Sequence, residues 1–86
     1  MSVKEVTYSR DALKSLRRIP SNVALAIRGK FELYARDPCS LSSNVIRLQG
    51  SSGCFRLRVG DWRVIFSEDA VVVAVIRIAP RGSAYE

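Results

Sequence analysis

The sequence predicts an α+β domain in which two helices pack on one face of a mostly antiparallel sheet. Three observations support this fold class. A short alternating segment opens the chain, two segments with helical spacing of apolar residues follow, and everything after residue 44 has the composition of β-strands. The element order is therefore β-α-α-β-β-β-β, and the 86 residues suit a single domain spanning residues 1–86.

The first strand and the first helix are predicted next to each other. Apolar and polar residues alternate over Val3–Tyr8, which indicates a strand. Ser9 offers an N-cap, and Asp11 would lie in the first helical turn. The apolar stripe of this helix is expected at Leu13, Leu16 and Ile19.

The second helix lies between two prolines. Pro20 ends the first helix, the second begins near Ser21, and Pro38 fixes its end. Because their spacing follows the helical repeat, five residues are expected on the buried face. They are Ala24, Ile27, Phe31, Tyr34 and Ala35.

The remainder predicts four strands. Val45–Leu48 is a short strand, and Gln49–Gly53 is a Gly/Ser turn. Apolar and polar residues alternate in Cys54–Val59 and again in Trp62–Glu68, which indicates two further strands. Val71–Ala79 is almost wholly apolar and β-branched, which is typical of a central strand buried on both faces.

The charge balance suggests a polyanionic partner. Fourteen Lys and Arg face eight Asp and Glu, the net charge is +6, and eleven of the fourteen cations are Arg. Arg presents a planar fork of donors that matches phosphate oxygens, so nucleic acid or an acidic protein segment is expected to bind. A merely solvated basic surface is an equal alternative on charge alone.

Several classes of protein are disfavoured. The chain has no His and only two Cys, Cys39 and Cys54, whose spacing suits neither a disulfide framework nor a metal site. No apolar run is long enough to cross a bilayer, and no signal core is present at the start. A cytoplasmic protein is the expectation, with no metal and no small-molecule cofactor.

The segment Cys54–Phe66 predicts a hairpin with a defined register. If Gly60 and Asp61 form a two-residue turn, six apolar residues share one face and can be buried against the helices. The predicted pairs on that face are Val59 with Trp62, Leu57 with Val64, and Phe55 with Phe66.

The opposite face of this hairpin gathers arginines. The same register places Arg58 directly across from Arg63, with Arg56 two residues along. Like charges opposed across a ladder are destabilising, so this arrangement indicates an anion-binding site. The alternative is a solvated strand face with repelling side chains. Arg77 lies near the end of the last predicted strand, but its face depends on a register that the sequence does not fix, and it is interpreted as peripheral or structural.

The C-terminal segment adds two candidates. Arg81 lies between Pro80 and Gly82, just past the last strand, where it could reach the rim of the arginine face. Tyr85 follows four residues later. An aromatic ring beside arginines suits single-stranded RNA, because a base can stack while guanidinium groups bind phosphates. A frayed tail is the alternative reading of Tyr85.

These residues resemble the RelE/ParE toxin superfamily. The string Arg56–Phe66 is similar to the family's basic-x-basic, turn, aromatic-Arg-apolar hallmark, and the ending Arg81–Tyr85 also agrees. Earlier matches are Ala12–Leu16 in the first helix, Asp37-Pro38 after the second, and Leu48-Gln49-Gly50 before the hairpin. The resemblance covers nearly the whole chain and implies a RelE-like, microbial-ribonuclease-type fold.

The resemblance also implies an activity. RelE-like toxins of type II toxin–antitoxin systems cut mRNA in the ribosomal A site without a metal, through attack of the 2′-hydroxyl on the adjacent phosphate. By position, Arg56, Arg58 and Arg63 would bind the RNA phosphate, with Arg58 and Arg63 also catalytic. Arg81 would aid departure of the leaving group, and Tyr85 would stack on the substrate. The implied partners are the ribosome with its rRNA, mRNA and a cognate acidic antitoxin.

Two departures from the family pattern affect the mechanism. Arg56 and Arg58 stand where relatives can carry Lys, and guanidinium resists deprotonation. Pro80 stands where relatives often carry Lys or His. Catalysis by charge stabilisation, rather than by proton transfer from these residues, is therefore expected. Two alternatives remain open from the sequence: a ParE-type inhibitor of DNA gyrase with the same fold, and a non-catalytic RNA-binding module.

Overall fold

The computed structural model describes residues 3–41, 44–47 and 53–80 and confirms the predicted α+β order. Within these residues a five-stranded sheet has the strand order β1-β5-β4-β3-β2. The first strand pairs in parallel with the last, and the other neighbours are antiparallel. The elements are β1 (Glu5–Tyr8), α1 (Arg10–Arg18), α2 (Ser21–Arg36), a 3₁₀ turn (Pro38–Leu41), β2 (Val45–Arg47), β3 (Cys54–Val59), β4 (Trp62–Glu68) and β5 (Val72–Pro80).

Helix α1 begins where the sequence predicts, but it buries a different stripe. Ser9 caps it by accepting a hydrogen bond from the amide of Ala12 at 3.0 Å. Ala12 is fully buried together with Leu16 and Ile19, whereas Leu13, predicted to lie inside, is 40% exposed. A spacing of three residues drifts around a 3.6-residue helix, so a narrow contact surface cannot hold Leu13 as well.

Helix α2 buries the predicted face. Ile27, Phe31, Tyr34 and Ala35 are all buried, and Ala24 packs against the same core. Phe66 of β4 meets the rings of Phe31 and Tyr34 edge-on, at centroid distances of 5.2 and 5.3 Å. This aromatic contact fixes α2 against the middle of the sheet. Among the described helices, none is both long and apolar enough to cross a membrane.

The β3–β4 hairpin has the predicted register. Val59 lies opposite Trp62, Leu57 opposite Val64, and Phe55 opposite Phe66. Gly60 adopts a φ of +58°, which only glycine takes without strain at the start of so tight a turn. Four of the six residues on this face are buried beneath the helices: Leu57, Val59, Val64 and Phe66.

Strand β5 departs from the prediction that both of its faces are buried. Its neighbours are β1 and β4, so it is an interior strand, and Val73, Val75 and Ile78 are buried. However, Ile76 and Arg77 are exposed, because the helices cover one face of the sheet only. We call the uncovered side the outer face.

A β-bulge explains how β5 changes its pattern. Phe66 pairs with Val75 while Ile65 pairs with Arg77, so Ile76 is an extra residue on β5. Val75 and Ile78, three residues apart, can thereby both point into the core. Parts of two predicted segments lie outside the described residues. They are Leu48, the last residue of the predicted strand Val45–Leu48, and residues 49–52 of the turn that follows it.

Candidate functional site

The outer face carries the arginine pair that the sequence predicts. Arg58 of β3 and Arg63 of β4 are directly opposed partners, and Arg56 lies two residues before Arg58 on the same side of β3. The apolar residues on the other side of the hairpin hold this register, because a slip of one residue would expose all of them. The sheet therefore places the two arginines directly across from each other on one face.

The two opposed arginines differ in their local contacts. The Arg63 guanidinium donates to the carbonyl oxygens of Gly60 at 3.1 Å and Trp62 at 3.2 Å, which holds it beside the turn. Arg58 is exposed. Within the part of the chain that the structure describes, neither forms an ion pair with a carboxylate. Their positive charge is consequently not neutralised by Asp or Glu of that part.

Arg56 has a different environment. It is half-buried, and its register partners on either side are Ile46 of β2 and Ile65 of β4. Such apolar neighbours suit the aliphatic stem of an arginine. Arg56 also interacts with another group of the protein, so its guanidinium is not a free cation.

Arg77 also lies on the outer face, which the sequence did not predict. It pairs with Ile65 and is exposed on the outer face, on the same side of the sheet as Arg63. Simple alternation from the buried Val73 and Val75 would have placed it in the core. The bulge reverses its orientation, and a bulge leaves no clear signal in the pattern of an almost wholly apolar strand.

The two C-terminal candidates cannot be placed. Arg81 and Tyr85 lie outside the described residues, so their roles remain predictions. Pro80, the last described residue, pairs with Trp62, and the adjacent pair is Ala79 with Arg63. Strand β5 therefore ends beside the arginine pair.

The arginine pair has the chemistry that would suit an anion. Fixed guanidinium groups can bind phosphate oxygens in a bidentate manner and remain charged at any physiological pH. Within residues 3–41, 44–47 and 53–80, no three side chains of His, Cys, Asp or Glu are grouped as metal ligands. The arrangement offers charge stabilisation, whereas a guanidinium, which resists deprotonation, is poorly suited to act as a general base.

A family model matches almost the whole chain. Residues 6–85 match the model described as the ParE toxin of the type II toxin–antitoxin system parDE. Among curated proteins, no sequence is significantly similar to this chain.

Solved structures show the same fold. In the archaeal RelE–RelB complex from Pyrococcus horikoshii, a chain with 25% identity superposes with a TM-score of 0.80, over 96% of this chain and all of that chain. A mutant of the E. coli toxin RelE in the free state gives 21% identity and a TM-score of 0.76, over 95% of this chain and 86% of that one. The E. coli DinJ–YafQ toxin–antitoxin complex gives 17% identity and 0.71, over 99% and 100% of the two chains.

Proposed function

We propose that this chain, which belongs to the ParE toxin family of type II toxin–antitoxin systems, is a metal-independent endoribonuclease that cleaves mRNA in the ribosomal A site. The observation that carries this proposal is the opposed pair Arg58 and Arg63, directly cross-strand and without a carboxylate partner among the described residues. The solved chain with a TM-score of 0.80 is an archaeal RelE, which makes ribonuclease activity the first candidate, although the fold alone does not separate it from gyrase inhibition.

The proposed reaction needs charge stabilisation above all. The 2′-oxygen of one nucleotide forms a bond to the adjacent phosphorus, the bond from phosphorus to the 5′-oxygen breaks, and a 2′,3′-cyclic phosphate and a 5′-hydroxyl result. Negative charge builds on the non-bridging oxygens during this transfer. Arg63 is held at the turn and contacts those oxygens, while Arg58 approaches from the opposite strand. Removing one such donor reduces the rate by about 10²- to 10³-fold.

Arg81 and Tyr85 complete the proposed site. Arg81 follows directly on Pro80, whose strand ends beside Arg63. It donates a hydrogen bond to the departing 5′-oxygen as charge develops there, and Tyr85 stacks on a base of the codon. Because a guanidinium does not readily release or accept a proton, the 2′-hydroxyl proton leaves to water or to the ribosome rather than to Arg56 or Arg58, and the 5′-oxygen takes up its proton from the same sources.

A second candidate function is inhibition of DNA gyrase. The family model that matches is that of the ParE toxin, which favours this alternative. The fold is common to both activities, so only assays decide between them. Cleaved mRNA with unaffected gyrase supports the nuclease, whereas inhibited supercoiling with intact mRNA supports the gyrase inhibitor.

We also propose a cognate antitoxin as partner. The solved relatives include RelE with RelB and YafQ with DinJ. A net charge of +6 favours an acidic chain, and a partly disordered segment could wrap so small a domain. Toxin and antitoxin would meet in the cytoplasm, where the ribosome is found. Expression of the chain alone should arrest growth, and co-expression of the antitoxin should restore it.

The decisive experiment is mapping of mRNA ends during in vitro translation. Wild type should produce cuts at A-site codons, and Arg63→Ala and Arg81→Ala should lose them. Arg17→Ala, an exposed helical arginine away from the outer face, should cut as wild type does. A parallel gyrase supercoiling assay should be unaffected by wild type. Intact mRNA in the presence of folded wild-type protein would overturn the proposal.

A further inference from the structure

A second basic surface lies beside the arginine pair, and it begins with Arg77. Regular pairing along β5 would set Arg77 opposite Val64, in the core beneath the helices. The bulge at Ile76 instead pairs Arg77 with Ile65 and exposes it. Burying an unpaired guanidinium would cost several kcal/mol, so the bulge decides on which side of the sheet this charge is presented.

Helix α1 forms the other side of this surface. Parallel pairing of β1 with β5 stops at Tyr8 and Val75. Beyond that point α1 runs along β5, where the hydroxyls of Ser9 and Ser15 donate to the carbonyl oxygens of Ile76 and Ile78. These bonds satisfy strand carbonyls that have no neighbouring strand there. They also connect α1 to the end of β5.

A shallow groove results between α1 and the end of β5. It has a volume of about 390 Å³. The basic side chains in its wall are Lys14 and Arg18 of α1 and Arg77 of β5, and the acidic side chain is Asp11. Three cations thus face one carboxylate, and no ion pair joins any of the four within the described residues. We call this surface the α1–β5 groove.

Helix stability alone does not account for these charges. Arg18 lies in the last turn of α1, where a cation is favourable to the helix dipole. Lys14 and Arg18, however, are four residues apart and repel each other by a few tenths of a kcal/mol. Asp11 offsets part of this, but Arg77 on the strand adds a third positive charge. As at the arginine pair, like charges gather on one surface, and the helix dipole favours Arg18 but accounts for neither Lys14 nor Arg77.

The groove is continuous with the arginine pair. Ala79 lines it and is the cross-strand partner of Arg63. Arg77 lies two residues along β5 from Ala79, about 7 Å at the rise of a β-strand. A nucleic-acid strand that leaves Arg63 toward α1 would therefore meet Arg77 next, followed by Lys14 and Arg18.

We propose that the α1–β5 groove binds a backbone phosphate of RNA, as a subsite separate from the scissile phosphate. This inference rests on the proposed function, since it extends the same RNA-binding face. The phosphodiester can belong to the mRNA beyond the cleaved codon or to ribosomal RNA. Lys14, Arg18 and Arg77 give affinity and position here and take no part in bond breaking.

The test compares charge-neutral variants at matched positions. Arg77→Gln and the double variant Lys14→Gln/Arg18→Gln remove groove charges, while Arg17→Gln removes the neighbouring exposed charge outside the groove. Binding of a fluorescein-labelled single-stranded RNA 12-mer is measured against KCl concentration. Each groove charge removed should weaken binding by about 3- to 10-fold and lower the salt slope by roughly 0.7. Thermal melting confirms that all variants are folded.

Arg17→Gln should match wild type in both affinity and salt slope. Groove variants that also match wild type would overturn the proposal. A loss with Arg17→Gln equal to the loss with Arg77→Gln would overturn it as well, since the effect would then be general charge and not a subsite.

Ribosome binding distinguishes the two sources of phosphate. If the variants weaken binding to mRNA-programmed ribosomes only, the mRNA supplies the phosphate. An equal loss on ribosomes without mRNA identifies rRNA. Both results support the groove.

Cleavage separates this inference from the proposed function. At saturating ribosomes, groove variants should cut at the wild-type rate but need more ribosomes for half-maximal cutting, whereas Arg63→Ala should lose the rate itself. If wild type fails to cut but groove variants still bind RNA more weakly, the nuclease proposal fails and the groove stands. If wild type cuts mRNA but the groove variants bind RNA as tightly as wild type, the groove proposal fails and the nuclease proposal stands.

Discussion

Arg58 and Arg63 face each other directly across the β3–β4 ladder, on the side of the sheet that the helices leave open. The opposite side of the same hairpin is apolar and buried, with Leu57 and Val64 fully inaccessible to solvent. A change of register could separate the two charges, but it would also expose that core face. The repulsion is therefore built into the hairpin, and the proposed binding of a phosphate would relieve it.

Replacing Arg58 should change stability and activity in opposite directions. Arg58→Ala removes one of two opposed like charges from an exposed position, so the free energy of unfolding should stay constant or rise by about 0.5 kcal/mol. Cleavage of mRNA should fall by about 10²-fold. Urea titration and the rate of mRNA cutting in the same preparation provide the measurements.

Arg58→Lys is the control for charge. It keeps the cation but loses the bidentate fork, so its cutting rate should lie between those of wild type and Arg58→Ala. A lower free energy of unfolding for Arg58→Ala than for wild type would contradict the prediction that this arginine serves binding rather than folding.

The two glycines Gly60 and Gly29 allow a matched test of the hairpin turn. Both have open space around the position of a Cβ, but Gly60 has a φ of +58° and Gly29 lies inside α2. Gly60→Ala should therefore lower the free energy of unfolding by about 1–2 kcal/mol through strain. Gly29→Ala should raise it by about 0.5–1 kcal/mol. Chemical denaturation of both variants checks that the free energy of unfolding falls in Gly60→Ala and rises in Gly29→Ala.

Gly60 also bears on the site, because its carbonyl oxygen accepts from the Arg63 guanidinium. A distorted turn should therefore reduce mRNA cutting in Gly60→Ala, while Gly29→Ala should cut normally. Equal cutting by both folded variants would show that the turn does not position Arg63.

The hairpin could be predicted from sequence because several signals agree there. A Gly-Asp turn and three apolar pairs are consistent with one register only, and that register fixes the faces of Arg58 and Arg63. Helix α2 was equally clear, since its apolar residues follow the helical repeat between two prolines.

The remaining features depend on tertiary contacts. The bulge that exposes Arg77 has no clear signature in the sequence, because the apolar residues of this strand are compatible with either face and Arg77 alone does not locate the extra residue. In α1, Leu13 and Ala12 are adjacent and both apolar, and it is the packing of α1 against β5, α2 and β1 that buries Ala12 and leaves Leu13 exposed. The partly buried state of Arg56 likewise follows from β2 and β4 on either side of it.

Asp69 should contribute to stability at neutral pH and lose that contribution in acid. Its carboxylate accepts the amides of Val71 and Val72, both at 2.7 Å, at the turn between β4 and β5. These bonds lower the pKa of Asp69 below its usual value of 3.8. A lowered pKa in the folded state means that the stabilisation is complete above pH 3.8 and is lost as the pH falls through the folded value.

Asp69→Asn keeps an acceptor oxygen but removes the charge, and it should be less stable than wild type at pH 7. The difference between the urea midpoints of the two proteins should shrink below pH 4. A constant difference from pH 7 to pH 3 would show that the charge of Asp69 is not responsible.

Tyr34 should make the protein sensitive to alkali. Its hydroxyl donates to the carboxylate of Glu68, which also forms an ion pair with Lys4 at 2.7 Å. Burial raises the pKa of Tyr34 well above its usual value of 10.0, and the hydrogen bond to Glu68 and the charge of that residue raise it further. Because the folded state holds the proton more tightly than the unfolded state, stability is complete below pH 10 and falls as the pH rises beyond it.

Tyr34→Phe should lower the free energy of unfolding by about 1.5 kcal/mol at pH 7, where the hydrogen bond to a charged partner is lost. It should also flatten the decline of stability between pH 9 and pH 11, as followed by urea titration at each pH. Tyr8→Phe is the matched comparison, because burial raises the pKa of Tyr8 while the nearby Arg28 opposes the shift. The flattening should therefore be stronger for Tyr34→Phe, and an equal effect of both variants would show that Glu68 contributes nothing to the alkaline response.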